Sequence, residues 1–333
     1  MAPEEANRIT FLVDDRLEFF RTVFNVAHEA SLAEEDATPC ETEYAKQVAD
    51  HFAAHQDHPL IDYVRTNDDI LVDFSTVGLM FTNLDGFVFD DRYADRITEF
   101  GLTKEELDSI RPLLTDFYET TGFAAFFQQS KPYYREALRI VNREATEAGL
   151  FRKVTDFYQS DEQGLALDVF VELTNNINNK AVDFYDHYNP RRKGIILANV
   201  CDVPSQPVPA NTVLALDNDL RGRIYHETSH LFTDKLLSRY LGDLNQYQSL
   251  CADCGSIALK DEIDHLIVYP LQALLAMRLD QNREGHDYFT EECTDVRATV
   301  YRRLTDYRPE NGEPFVLTYA ACMELIKDAA AER

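Results

Sequence analysis

The sequence predicts an α+β fold that is mainly α-helical, and three observations support this class. Apolar residues such as Phe20, Val23 and Phe24 recur at helical spacing in much of the segment 8–190. Apolar runs rich in β-branched residues at 194–200 and 212–216, flanked by Pro and Gly, predict two short strands. Helical patterns then return after residue 217.

This order of patterns predicts a helical N-terminal half at 1–190 and a second half at 191–333. The second half would hold a small β element directly before a helix that carries the main motif. The two halves are expected to be separate domains or one continuous domain.

Several helices can be placed from periodicity and from end signals. A helical stretch begins near residue 8, and Thr103 followed by Glu105 and Glu106 begins another helix. The other predicted helices are 43–54, 132–148, 162–186, the motif helix after Asp217–Asp219, 255–280 with a kink or break at Pro270, 291–306 and 315–331.

Composition limits the class of partner. The chain has 333 residues, with 59 acidic and 32 basic side chains, and its formal charge is -27. A chain with this negative charge repels phosphate backbones and anionic lipids. We therefore expect no nucleic-acid partner and no membrane partner. The same acidity is consistent with a protein from a salt-rich cytosol or with an ordinary acidic protein.

The cellular location of the protein and the redox state of its cysteines can be predicted from the sequence. It shows neither a basic start followed by an apolar run nor a stretch of about 18 apolar residues. We therefore expect a cytoplasmic protein. Six cysteines in a chain of this length favour reduced thiols over a disulfide scaffold.

The segment His226-Glu227-Thr228-Ser229-His230 carries the clearest chemistry. On a helix, positions i and i+4 lie on the same face, so both imidazoles can bind one metal ion. Zn²⁺ is the expected ion, and it would lower the pKa of a bound water to about 7. Glu227 would then act as the general base and return the proton to the leaving amine. The alternative is an exposed acidic helix with two incidental histidines.

The motif resembles that of the gluzincin-like zinc metallopeptidases. It is most similar to an uncharacterised prokaryotic peptidase family whose strand–helix unit contains HEFSH or a related sequence. The resemblance covers about 193–280, and HETSH at 226–230 is its sharp match. It implies a zincin-like fold, with His226 and His230 as ligands and Glu227 as base. The longer metzincin motif is absent, because Thr233 and Leu236 occupy its Gly and third His positions.

Catalytic zinc has three protein ligands and one open position, so a third ligand must come from another segment. The gluzincin resemblance implies a Glu on a later helix, and Glu262 in Lys260-Asp261-Glu262-Ile263-Asp264-His265 is our choice. Because Asp261 stands where gluzincins have Asn, His265 and Asp253 remain alternatives. Asp261 or Asp264 could orient a ligand histidine.

The predicted function is a zinc-dependent hydrolase, a metallopeptidase that cleaves a peptide or protein substrate. The alternatives are a zinc-binding interaction or regulatory module without catalysis, and a zinc amidase for small molecules. Strand 212–216 could bind substrate backbone as an edge strand. Candidates for stabilising the oxyanion are His265, Tyr269, Tyr240 and Tyr225.

Two weaker patterns favour structural roles. His51 and His55 have i, i+4 spacing, with His58 nearby, but no Glu follows the first His. Cys251 and Cys254 form one CxxC without a second pair, so buried reduced thiols are expected there.

Overall fold

The computed structural model describes residues 7–34, 42–67, 70, 72–159, 164–174, 179–185, 191–198, 214–251, 255–283 and 295–333. Helices predominate in these ranges and a small sheet accompanies them, which confirms a mainly helical α+β class. The α-helices are α1 (Asp15–Glu34), α2 (Glu43–Phe52), α3 (Pro59–Thr66), α4 (Lys104–Thr120), α5 (Phe123–Glu147), α6 (Leu150–Phe157), α7 (Asn218–Tyr240), α8 (Ser256–Asp280), α9 (Asp295–Thr305) and α10 (Phe315–Ala331). The strands are β1 (Arg8–Leu12), β2 (Phe81–Asn83), β3 (Val88–Phe89), β4 (Ala166–Glu172), β5 (Lys180–Val182) and β6 (Arg192–Ala198).

Four strands form the main sheet in the order β1-β4-β6-β5. Strands β1, β4 and β6 are parallel, whereas β5 pairs antiparallel with β6, with Ala181 opposite Ile195. Strand β5 is therefore an edge strand. Because β6 follows residue 190 and the other three strands precede it, both halves of the chain contribute to one sheet.

Five strands, β1 to β5, lie in the half predicted to be helical, and three of them replace parts of predicted helices. Strands β4 and β5 both lie within the helix predicted at 162–186, which is therefore wrong there, and β1 occupies residues at the start of the first predicted helix. All seven residues of β4 are buried. A strand covered on both faces is a continuous apolar run without alternation, so its periodicity does not distinguish it from a buried helix.

The two predicted strands had different outcomes. Strand β6 confirms the one predicted at 194–200, of which 199–200 lie outside the described residues. Residues 214–216 are not in a strand, so that part of the prediction for 212–216 is wrong. Residues 212–213 lie outside the described ranges.

The N-terminal helices pack around an aromatic core. Phe19 is fully buried, and its ring centroid lies 5.2 Å from that of Phe87 and 5.1 Å from that of Phe123. Replacing such a phenylalanine with alanine typically costs about 3–5 kcal/mol. Helix α4 begins as predicted with a capping box in which Thr103 and Glu106 each bond the other's backbone N–H.

Helices α7 and α8 pack against each other and position the site. The Asp217 side chain accepts the Leu220 N–H and caps α7. The sequence predicts a kink or a break at Pro270. Helix α8 continues through this residue without a break. Among the residues that the structure describes, no helix has the length and apolar character needed to cross a membrane.

Candidate metal centre

The rotation of α7 about its axis is fixed by its buried face. Ser229, inside the motif, is fully buried and donates a hydrogen bond to the Tyr225 carbonyl at 2.6 Å. The buried Tyr158 hydroxyl donates to Ser229 Oγ at 2.7 Å, and its ring stacks on Phe232 at 4.4 Å between centroids. With this face held against the core, the neighbouring face of the same turns presents His226 and His230 toward α8.

Three imidazoles meet between the two helices. The ligand nitrogens of His226, His230 and His265 all lie within 4.8 Å of one another. The Nε2 atoms of His226 and His230 are 3.3 Å apart. The ring of His265, from α8, lies 5.3 Å from that of His226 and 5.1 Å from that of His230, measured between centroids. The chemistry of this donor set fits a zinc ion.

Hydrogen bonds from α8 orient the two motif histidines. His226 Nδ1 lies 3.0 Å from Gln272 Oε1, and His230 Nδ1 lies 2.6 Å from Asp264 Oδ2. Both oxygens accept, so each Nδ1 carries a proton, and Nε2 is the ring nitrogen through which each histidine would bind a metal once that nitrogen is deprotonated. Asp264 also accepts a hydrogen bond from Thr233 Oγ1 at 3.3 Å. Of Asp261 and Asp264, the two residues expected to orient a ligand histidine, Asp264 contacts His230 in this way.

The charges around the imidazoles differ from ring to ring. Burial, together with the positive charges of His230 and His265, lowers the pKa of His226 to about 3. Burial also lowers the pKa of His230, but Asp264 and other nearby carboxylates outweigh it and raise that pKa to about 9. His226 is therefore a neutral donor, and the surroundings of His230 favour a positive charge, which a bound metal ion would supply in place of the proton.

Glu227 lies beside this group and is held by the edge strand. Burial raises its pKa to about 7, against the opposing charge of His230. Its carboxylate accepts a hydrogen bond from the backbone N–H of Ala181 in β5, and the charge of Lys180 acts on it as well. A buried carboxyl group with a pKa near neutrality suits proton transfer at physiological pH.

Glu262, the predicted third ligand, lies outside the three-histidine group. Its carboxylate lies 3.7 Å from the Arg297 guanidinium, and its side chain is 37% exposed. His265, one of the two alternatives, lies in the group. Asp253, the other, lies outside the described residues. A second group that could hold a metal consists of His230, Asp234 and Asp264. His230 Nδ1 lies 4.0 Å from Asp234 and 2.6 Å from Asp264, to which it donates.

Of the tyrosines considered for oxyanion stabilisation, Tyr269 lies against the histidine group. Its ring lies 4.8 Å from that of His226 and 5.2 Å from that of His265. The Arg297 guanidinium lies 4.7 Å from the centroid of the same ring. Tyr225 is fully buried and donates to Asp280 at 2.6 Å, and Tyr240 lies near Tyr319, with 6.2 Å between ring centroids.

A cavity of about 600 Å³ lies next to the histidines, a size typical of ligand sites. Strand β5, helices α7 and α8, and the segment around Arg96 form its walls. Its lining residues are Arg96, Glu99, Asn179, Lys180, Ala181, Val182, Asp183, Lys193, His226, Glu227, His230, Leu231, Asp234, Lys235, Leu237, Ser238, Lys260, Asp261, Asp264 and His265.

Sequence reasoning missed two parts of this site. Gln272 is one, and a signal was present, because it is a polar residue in the apolar run of α8, seven positions after His265. Strand β5 is the other, and its three residues carry no periodic signal.

The weaker patterns do not form a further metal site in the described ranges. His51 Nε2 bonds the Thr121 carbonyl at 2.9 Å, and His58 Nε2 bonds Asp116 at 3.0 Å. Cys322 is a free, buried thiol, as expected. Cys251 is disulfide-bonded, so the expectation of reduced thiols is wrong at this position.

In comparisons with known proteins, no protein-family model, curated protein or solved structure matches this chain. The function is therefore inferred from the site itself.

Proposed function

We propose that the protein is a zinc-dependent hydrolase, a metallopeptidase that cleaves peptide bonds. The observation that carries this proposal is the meeting of three imidazoles beside the buried carboxyl group of Glu227. Three neutral nitrogen ligands with an adjacent base form the donor set of a hydrolytic zinc site. The parallel sheet with an antiparallel edge strand next to the motif helix supports the zincin-like architecture that the motif implies.

His226, His230 and His265 would hold the metal, with Gln272 and Asp264 fixing two of the rings. Zinc, when bound, would acidify a coordinated water and polarise the carbonyl under attack. Glu227 would accept the proton and pass it to the leaving amine. The Ala181 N–H would hold the carboxylate in position while its protonation state changes.

Strand β5 takes the role that the sequence suggested for residues 212–216. It is the edge of the sheet, and both it and the histidines line the cavity. An extended peptide could lie along such an edge and place its scissile bond beside Glu227. This geometry favours an extended peptide substrate.

The test combines metal analysis with hydrolysis. We expect about one zinc per chain in the purified protein, and cleavage of a quenched fluorescent peptide library that stops on chelation and returns with zinc. Glu227→Gln should retain zinc and lower kcat by at least about 10³-fold. Glu119→Gln, an exposed carboxylate on α4, is the matched control and should behave as wild type.

Two results would contradict the proposal. Absence of zinc binding would remove the metal centre. Zinc binding without cleavage of any library peptide would favour the alternative, a zinc-binding interaction or regulatory module.

A further inference from the structure

Both ends of β5 contact one segment of the N-terminal half, residues 93–100, which precedes α4. At the first residue of the strand, Lys180 Nζ lies 4.7 Å from the centroid of the Phe100 ring. Directly after the last residue, Asp183 accepts two hydrogen bonds from Arg96 Nη2, at 2.8 and 2.9 Å. Because a strand of three residues has few ladder hydrogen bonds of its own, its position depends on such contacts at its ends.

Arg96 is itself held in a defined place. Its guanidinium forms an ion pair with Glu99 at 2.7 Å, and its side chain is 28% exposed. The same guanidinium lies 5.8 Å from the centroid of the buried Phe184 ring, and that ring packs against the buried ring of Tyr93 with 5.1 Å between centroids. Ion pairs at this level of exposure stabilise mainly when several charges form a network, as these three do with Asp183.

The middle of β5 contacts the motif helix. Ala181 pairs with Ile195 of β6, and its N–H donates to the buried carboxyl group of Glu227. Asp183 is two residues beyond Ala181, a distance of about 7 Å along an extended chain. A displacement of the strand at its ion pair would therefore move the N–H that orients Glu227. Small errors in the placement of a catalytic group lower the rate strongly.

We propose that Arg96 is a positioning residue for the general base and that it acts through Asp183 and the Ala181 N–H. This inference rests on the proposed function and assigns a part in it to the N-terminal half. The three histidines lie on α7 and α8, which pack against each other directly. Loss of the Arg96–Asp183 ion pair should therefore weaken catalysis and leave metal binding intact.

Peptide hydrolysis compares Arg96→Gln with a control on the same surface. Arg92 lies four residues earlier, pairs with Asp90 at 2.7 Å and is not among the residues that line the cavity. We expect Arg96→Gln to retain zinc, to lower kcat about fivefold and to change KM less than about twofold. Arg92→Gln should match wild type. Arg96→Lys keeps a positive charge beside Asp183 and should return kcat to within about twofold of wild type.

A double variant tests whether Arg96 acts through β5. Ala181→Pro removes the N–H itself, so adding Arg96→Gln to it should lower kcat less than about twofold further. Independent effects would instead multiply, and the added loss would again be about fivefold. Asp183→Asn removes the other partner of the ion pair and should reproduce the kcat of Arg96→Gln.

Hydrogen exchange of the zinc-equilibrated protein gives a measurement that does not require turnover. In Arg96→Gln we expect exchange to be about fivefold faster in peptides that cover residues 179–185 and unchanged across α7 and α8. Arg92→Gln should exchange as wild type does. An arginine that only contacted the substrate would not alter exchange in β5 of the free protein.

Several outcomes would overturn the inference. They are an unchanged kcat in an active peptidase, a rise in KM alone, a full fivefold loss on top of Ala181→Pro, and unchanged exchange at 179–185. Loss of zinc, or faster exchange across both helices, would show that Arg96 supports the fold in general and would overturn it as well. Faster exchange confined to β5 in a protein whose wild type cleaves no peptide would contradict the peptidase alone.

Discussion

At the residue scale, the identity of the third metal ligand can be tested directly. His265→Ala should lower the zinc affinity at least about 100-fold, because it removes one of the three proposed nitrogen ligands. Glu262→Ala should change it only a few-fold, since this carboxylate faces Arg297. Competition with a chromophoric chelator measures both. The reverse order of effects would restore Glu262 as the ligand.

Glu18 is a buried carboxylate outside the site. It is 2% exposed and accepts a hydrogen bond from Tyr44 at 2.6 Å. Burial raises its pKa to about 7, and the charge of Glu172 adds to this effect. The ionised form is therefore disfavoured in the folded state.

The pH dependence of stability follows from this shift. Below about pH 4.5 both folded and unfolded states hold the proton, so Glu18 costs nothing. Between about pH 4.5 and 7 only the unfolded chain releases it, so stability falls as the pH rises. Glu18→Gln removes this titration and should gain stability relative to wild type over that range, by on the order of 3 kcal/mol. Urea unfolding at pH 5 and pH 8 measures it. A stability difference that does not change with pH would contradict the assignment.

At the element scale, β5 links the edge of the sheet to Glu227, the proposed general base. Ala181→Pro removes the N–H that Glu227 accepts, and proline is tolerated in edge strands. We expect zinc binding to persist and kcat to fall about tenfold or more, because the carboxylate loses one of its orienting partners. Ala181→Ser retains the N–H and is the matched control. Equal activity of the two variants would show that the hydrogen bond is unimportant.

The sequence predicted the motif helix because local signals define it. The cap at Asp217, the apolar spacing and the i, i+4 histidines all depend on residues within a few turns of one another. The third ligand depends on how α8 faces α7. Glu262 and His265 are three positions apart and lie near the same face, so only the packed structure decides which of them reaches the cluster.

The sheet could be predicted only in part, for a related reason. The Pro and Gly near β6 predict a strand there. Strand β4 also has turn residues near its ends, but it is buried on both faces, so its pattern does not distinguish it from a buried helix. Strand β5 has three residues, and its role comes from pairing with β6 on one side and from contact with Glu227 on the other. Contacts between residues far apart in the chain produce no periodic pattern in the sequence, so periodicity does not predict them.

At the scale of the whole molecule, net charge should control stability. A formal charge of -27 places many like charges within a few tens of ångströms of one another. The Debye length shortens from about 30 Å at 0.01 M salt to about 3 Å at 1 M, so most of this repulsion is screened at high salt. We expect the Tm to rise by on the order of 5–10 °C between these concentrations, measured by circular dichroism.

A variant with lower charge distinguishes screening from general effects of salt on burial. Replacing the exposed Glu119, Glu147 and Glu324 by glutamine removes three negative charges and changes the formal charge from -27 to -24. If self-repulsion is the cause, this variant should show a smaller rise in Tm with salt than wild type does, since less repulsion remains to be screened. Identical rises would mean that salt acts through the burial of apolar surface, which these substitutions leave unchanged.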